Sequence, residues 1–355
     1  MVEALNVGVW HTVSMRRRLI ATVLLAASCV LALAVPATAG TKVTTGYRFY
    51  VSGSTTDVTT TPTGGVLLAG GGTDSDAGMA WLLARGGSRS AAKYGDVVVL
   101  RTSGTNGYNS YLVGLGANSV TSIVISSVAG ANNPAVAAAI AKAEVIFIAG
   151  GDQATYVNLW TGTALQTAVN QRVAAGYPIG GTSAGLAVLG NYVFAALNGT
   201  AYSSTVQANP YNSTVTLRGS LFTVPVMANV ITDSHFAIRD RMGRLVTFLA
   251  RLQQDGTAVA PRGIGVDEAS AVGVTAGGSA TVFGAGKGAY LLTVTSGVSR
   301  TCVSGVPLSY APVTAQRVPV GKTFSVSTWS SADGGAPYTL TVTAGALTSS
   351  SSSVY

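Results

Sequence analysis

Short apolar runs alternate with helix-forming stretches through the first two thirds of this 355-residue chain, and that alternation restricts the fold more than any other feature. Val66-Leu67-Leu68-Ala69, Val97 to Arg101, Ser122 to Ser127 and Val145 to Ala149 are too short for helices and rich in β-branched residues, as buried strands are. Between them, Ala77 to Arg85 reads as a helix capped by Asp74 or Asp76. Pro134 to Ala143 reads as an alanine-rich helix opened by a proline, whose missing N–H is not needed in a first turn. Strands separated by helices pair in parallel, because the crossover returns the chain to the same edge, and such sheets gather their active sites at the strands' carboxyl ends. Beyond residue 268 the helical signal fades. Val272 to Val274, Ala280 to Phe283, Tyr290 to Val294, Thr323 to Thr328 and Tyr338 to Val342 read as β strands completing or flanking the sheet. No linker marks a second domain, and the serine-rich Thr348 to Val354 is expected to be disordered.

One strand end carries chemistry. After Tyr177-Pro178-Ile179 comes Gly181-Thr182-Ser183-Ala184-Gly185, which can build a sharp strand-to-helix turn exposing the Ser183 hydroxyl. Glycines on both sides allow the unusual backbone angles and the close approach of strand and helix that such a turn needs. In a chain with 44 glycines the pattern can arise by chance, so partners must be found. The run Gly70-Gly71-Gly72-Thr73-Asp74 looks like a phosphate cradle, yet it lacks the lysine of a P-loop and the G-x-G-x-x-G register. It reads as a tight strand-to-helix turn beside the cleft.

A serine hydroxyl needs a base at neutral pH, and imidazole is the usual one. The chain has two histidines. His11 precedes an apparent export signal, which leaves His235, in Asp233-Ser234-His235-Phe236 followed by Arg239, Arg241 and Arg244. A carboxylate should orient the imidazole. Asp233 is the lone carboxylate between Ser183 and His235 and stands too close in sequence to reach the ring from behind. The acid is therefore expected from Asp267 or Glu268, at the end of the apolar Gly263 to Val266. Apolar residues Met242, Leu245, Val246, Leu249 and Leu252 fall at helical spacing, so some of the arginines can belong to that helix's solvated face.

Phe147-Ile148-Ala149-Gly150-Gly151-Asp152-Gln153, Gly180 to Gly185, Asp233 to Phe236 with its arginines, and Gly263 to Glu268 follow one another as they do in the cyanophycinase and dipeptidase E family of serine peptidases. The chain resembles that family over roughly residues 63 to 330. The resemblance implies an α/β three-layer sandwich with a mainly parallel central sheet, related to class I glutamine amidotransferases, with C-terminal β strands. It implies Ser183 as nucleophile, His235 as general base and acid, and Glu268 as orienting acid. The amides of Gly151 and Ala184 would form the oxyanion hole. Gln153, Asp233, Ser234, Arg239, Arg241 and Arg244 are the candidate substrate-binding residues, in a family that cuts a poly-aspartate carrying arginine on its side chains. Two departures bear on specificity: Ser234 stands where the family has Gln, and Asp240 where it has a small residue. Asp240 could thereby neutralise one of the arginines. The segment from Asn191 to Ser220 is expected to form a loop or hairpin over the cleft.

Composition restricts the remaining classes. Met15-Arg16-Arg17-Arg18, the apolar stretch from Leu19 to Val35 and Ala37-Thr38-Ala39 read as a signal peptide cleaved before Gly40, with translation starting at Met15. Cys29 is the alternative, a lipoprotein anchor, though Ala26-Ala27-Ser28-Cys29 is a poor lipobox. The expected organisation is thus 1–39 upstream residues and signal peptide, 40–62 N-terminal extension, 63–345 peptidase domain and 346–355 disordered Ser-rich tail. No later segment is long and apolar enough to span a bilayer, so no stable membrane association is expected. Cys302 alone remains after cleavage, which excludes an internal disulfide, and with one histidine no zinc site or other cofactor is expected. Removing Arg16, Arg17, Arg18 and Glu3 from the full chain's +8 leaves 18 basic and 12 acidic residues, a net +6 without a basic run or aromatic-interleaved basic patch, which argues against nucleic acid. The expected partner is a peptide or polyamide substrate of the cyanophycin type, and the resemblance suggests a homodimer. The alternatives are an α-aspartyl dipeptidase-like hydrolase and a non-catalytic secreted binding protein on the same scaffold.

Overall fold

The structure, a computed structural model, describes residues 43–44, 46–90 and 93–355. The expected signal segment over 1–39, with His11 and Cys29, lies outside the described residues. Strands β1 (Tyr47–Gly53), β2 (Val66–Ala69), β3 (Val97–Arg101), β4 (Ser119–Ile125), β5 (Val145–Ile148) and β6 (Ile179–Thr182) supply six strands of a ten-stranded sheet. In space β4, β3, β5, β6 and β2 lie side by side and run parallel. Helices α1 (Asp76–Arg85), α2 (Pro134–Lys142), α3 (Gln153–Trp160) and α4 (Ala164–Ala174) form the crossovers.

The period-two pattern of the strands sets the layers. Val66, Leu68, Val98, Leu100, Ile146 and Ile148 share a core with Val136, Ile140, Trp160 and Leu165 of the helices on one face. Their sequence neighbours Leu67, Ala69, Val97, Val99, Val145 and Phe147 pack with Met79, Leu82 and Leu83 of α1 on the other. The molecule is therefore an α/β sandwich with three layers about a parallel sheet centre. Ser75 caps α1 by accepting from the Gly78 N–H, rather than the expected Asp74 or Asp76, whose carboxylates accept from the hydroxyls of Tyr108 and Tyr111 instead.

The C-terminal strands divide between two sheets, where the sequence suggested one. Strands β11 (Ser270–Val274), β12 (Ser279–Gly284) and β15 (Thr323–Ser325) extend the first sheet beyond β2 in antiparallel fashion. A nine-stranded second sheet contains, in spatial order, β8 (Leu217–Gly219), β7 (Tyr192–Phe194), β9 (Val230–Asp233), β10 (Arg262–Val266), β13 (Ala289–Thr293), β14 (Ser309–Val318), β16 (Tyr338–Thr343) and β17 (Ala346–Ser349), with Ser299–Thr301 beside β14. Here β9 and β10 are parallel, and the helix α6 (Met242–Gln254) between them seals the sheet with Leu245, Phe248, Leu249 and Leu252. The second sheet exists because these residues own a separate apolar cluster that the first sheet cannot cover.

Two expected boundaries are corrected. Residues 47–53, inside the expected 40–62 extension, belong to the sheet as β1, which pairs along its whole length with β4. Residues 346–355 are no disordered tail: β17 pairs with β16, and the Tyr355 ring packs at 6.0 Å from Phe236 and 5.7 Å from Tyr290. Serine content alone misled there, because backbone pairing and one aromatic anchor hold the segment. Among the described residues no helix is long and apolar enough to cross a membrane.

Candidate active site

The two sheets meet around one cavity of about 250 Å³, lined by residues that include Gly151, Gln153, Ser183, Ala184, Ser234, His235, Arg239, Arg241 and Arg244. Ser183 ends β6 and begins the short helix α5 (Ala184–Ala187) with φ 55° and ψ −115°, a conformation that a non-glycine residue adopts only when its surroundings hold it there. Gly185 makes the elbow possible, since a Cβ there would strike the backbone of Ile148 and Ala149 in β5. The Ser183 N–H donates to the Ala69 carbonyl at 3.0 Å, while the Ala184 N–H, first in its helix, has no intrahelical acceptor.

His235 follows β9 and is 7% exposed. Its Nε2 lies 2.6 Å from Ser183 Oγ, and its Nδ1 lies 2.5 Å from Glu268 Oε1. Burial pushes the His235 pKa below its ordinary 6.5; the Glu268 hydrogen bond opposes this, and Arg239 and Arg241 add to the lowering. The bond to His235 in turn holds Glu268 below the ordinary carboxylate range, with Arg239 assisting at 3.5 Å. Strand β10 thus ends in two carboxylates with different partners. Asp267 Oδ1 accepts from the N–H groups of Ala237 and Ile238 at 2.9 and 3.0 Å, bracing the turn after His235, and Glu268 reaches the ring.

The candidate substrate residues separate by location. Gln153 opens α3 behind its N-cap Asp152 and lines the cavity. Ser234, Arg239 and Arg241 also line it. The Arg241 Nη1 donates to the Ser234 carbonyl at 2.8 Å, and burial pushes its pKa down to about 10, so it stays charged at neutral pH. Arg244 lines the cavity with a guanidinium committed elsewhere: Nε donates to Asp233 Oδ2 at 2.7 Å, Nη2 to Asp233 Oδ1, and Nη1 to the Ala201 carbonyl. Asp233 is 3% exposed and absent from the cavity wall. It is placed behind the site as the counter-ion of Arg244, where the sequence suggested contact with substrate. Asp240 forms no close ion pair with the arginines; its carboxylate accepts from the Tyr355 hydroxyl at 2.9 Å. Part of the expected loop over the cleft supplies the remaining wall through Ala196, Gly199 and Thr200.

Sequence reasoning missed what the Gly70 to Gly72 run does. Its backbone lies against the imidazole: His235 N donates to the Gly70 carbonyl at 2.7 Å, and Ala269 N to that of Gly71 at 3.0 Å. Gly71 has φ +97°, and a Cβ there would overlap the His235 ring. The available signal was three glycines at the end of a buried strand adjoining a candidate cleft.

Residues 108–217 match the model of peptidase family S51. That match includes Gly151 and Ser183 and ends before His235 and Glu268. A cyanophycinase from Geminocystis herdmanii is 34% identical over 130 residues, 36% of this chain and 42% of that protein. One from Trichormus variabilis is 34% identical over 134 residues, 38% of this chain and 40% of that protein. One from Synechococcus elongatus is 29% identical over 180 residues, or 50% and 51% of the two chains. The chain thus spans about two fifths to half the length of the curated relatives it matches. A crystal structure of a peptidase from an acI-B1 Actinobacterium is a distant likeness, covering 74% of this chain and 96% of that one with a TM-score of 0.46 and 16% identity.

Proposed function

We propose that the chain is a cyanophycinase- and dipeptidase E-like member of peptidase family S51 and an exported serine peptidase cleaving bonds beside acidic or β-aspartyl residues, a reading supported by the match of residues 108–217 to that family. The reading is carried by the Ser183, His235 and Glu268 chain of contacts, 2.6 Å and 2.5 Å long, beside the cavity. Ser183 Oγ attacks the scissile carbonyl carbon while His235 Nε2 takes its proton, and Glu268 holds Nδ1–H and favours the imidazolium that forms. The N–H groups of Gly151 and Ala184 stabilise the oxyanion. His235 then protonates the leaving amine, and water, deprotonated by His235, hydrolyses the acyl-enzyme. Arg239, whose side chain is 53% exposed, and Arg241 are the cations left to bind a substrate carboxylate. The segment Met15 to Ala39 supports export.

The cavity volume of about 250 Å³ falls below the usual range for ligand pockets and favours a second reading, hydrolysis of small aspartyl peptides. Incubation of the full chain and its Ser183→Ala variant with insoluble cyanophycin and with aspartyl dipeptides separates the two. Release of β-aspartyl-arginine by the unaltered protein alone supports the polymer, and cleavage of dipeptides alone supports the second reading. No product from either overturns the proposal.

Protonation of His235 removes the base, and its pKa lies below 6.5. The acid limb of kcat/KM is therefore expected below that pH. Arg239→Ala removes a cation that disfavours the imidazolium, so the limb should move to higher pH in a pH–rate profile. A limb that moves downward contradicts this account.

A further inference from the structure

The turn from His235 to Met242 carries two left-handed residues that are not glycine, His235 at φ 46° and Asp240 at φ 48°. Backbone of this kind persists only where neighbouring groups hold it from several sides. From one side Gly70 accepts from His235 N, and Asp267 accepts from the N–H groups of Ala237 and Ile238. Ser203 Oγ donates to the Asp240 carbonyl. Another side is covered by Tyr355. Its hydroxyl donates to Asp240 Oδ1 and accepts from Met242 N, each at 2.9 Å. Its ring stands edge-on to Phe236, the residue after the base, and to Tyr290. The approach of Tyr355 is itself secured, since Tyr338 Oη donates to the Val354 carbonyl at 2.9 Å and Ser350 N to that of Thr339 at 2.9 Å. Burial raises the Tyr355 pKa, so the phenol remains a donor across the working pH range.

Both ends of the turn thus meet one side chain from a segment more than one hundred residues away in sequence. We infer that Tyr355 is a positioning residue for His235, clasping the base-bearing turn through Phe236, Asp240 and Met242 so that the imidazole stays aligned between Ser183 and Glu268. The carboxylate of Asp240 and the hydroxyl of Tyr355 are the two halves of this clasp. The inference rests on the peptidase reading for its effect on rate, and on geometry alone for its effect on His235.

The groups facing His235 are Ser183 from β6, Glu268 from the end of β10, Arg239 and Arg241 on its own turn, and the uncharged backbone of Gly70 to Gly72. A loosened turn admits water to the ring and relaxes the burial that depresses its titration, so the His235 midpoint should rise. The test compares the full chain with Tyr355→Phe, which keeps the ring and removes the hydroxyl, and with Tyr355→Ala. Two quantities are read between pH 5 and 8: the rate at which a fluorophosphonate labels Ser183, and the midpoint of the His235 ring signal by NMR, assigned with a His235→Gln control. Tyr355→Phe should slow labelling about fivefold to tenfold and shift the midpoint upward in a protein that still melts cooperatively, with Tyr355→Ala more severe. Unchanged labelling and an unchanged midpoint in both folded variants overturn the clasp while leaving the peptidase reading intact. Failure of the unaltered protein to label at Ser183 overturns that reading, and the midpoint then decides the clasp: a rise in Tyr355→Phe supports it and no change refutes it.

Discussion

The double variant Ser183→Ala/His235→Ala is expected to retain as much residual hydrolysis as either single variant, each losing roughly 10⁴- to 10⁶-fold in kcat. A serine hydroxyl without its base is a poor nucleophile, and an imidazole without the hydroxyl has no proton to accept, so removing the second group subtracts little once the first is gone. The 2.6 Å contact between Oγ and Nε2 makes the two a unit. Measured kcat values for the three variants on the same substrate decide the matter. Losses that multiply would show the two residues acting independently and would refute the shared step. The Ser183→Ala protein should keep its thermal stability, because Ala184 to Ala187 and the Ser183 backbone hold the elbow without the hydroxyl.

The largest stability loss is expected from Asp233→Ala, about 3–5 kcal/mol in urea unfolding. Its partner Arg244 has a side chain only 3% exposed, and the variant would strand that guanidinium away from water. Arg241, 3.5 Å from the same carboxylate, would lose part of its compensation as well. Pairing Asp233→Ala with Arg244→Leu should recover part of the loss, since it removes the most deeply buried stranded guanidinium and leaves only Arg241 short of its counter-ion. A stability change under about 1 kcal/mol accompanied by a raised KM would instead return Asp233 to the substrate-binding role that its sequence position suggested.

The parallel strands were legible because each alternates between two buried faces, so Val66 to Ala69 and Val145 to Ile148 read as continuous apolar runs. The residues around the cavity were legible for another reason: Ser183 stands between glycines at a strand end, and His235 has no competitor in its half of the chain. What sequence could not convey was facing. Asp267 and Glu268 are adjacent carboxylates, and only the placement of β10 against the His235 turn sends one to backbone N–H groups and the other to the imidazole. The same limit applies to Asp233 and Arg244, which look like cleft residues beside a histidine and are a buried pair behind it. The second sheet was hidden because short β-rich segments such as Ala280 to Phe283 and Tyr290 to Val294 carry no mark of which neighbour they join. Tyr355 was hidden by composition, a single aromatic behind a serine run.

Ser183 hangs from one sheet, while His235 and Glu268 hang from the other, and the chain passes between the sheets at Asp267 to Ala269. The contact between Ser183 Oγ and His235 Nε2 therefore exists only where both sheets have formed and met. On the proposed peptidase reading, hydrolysis would wait on that meeting.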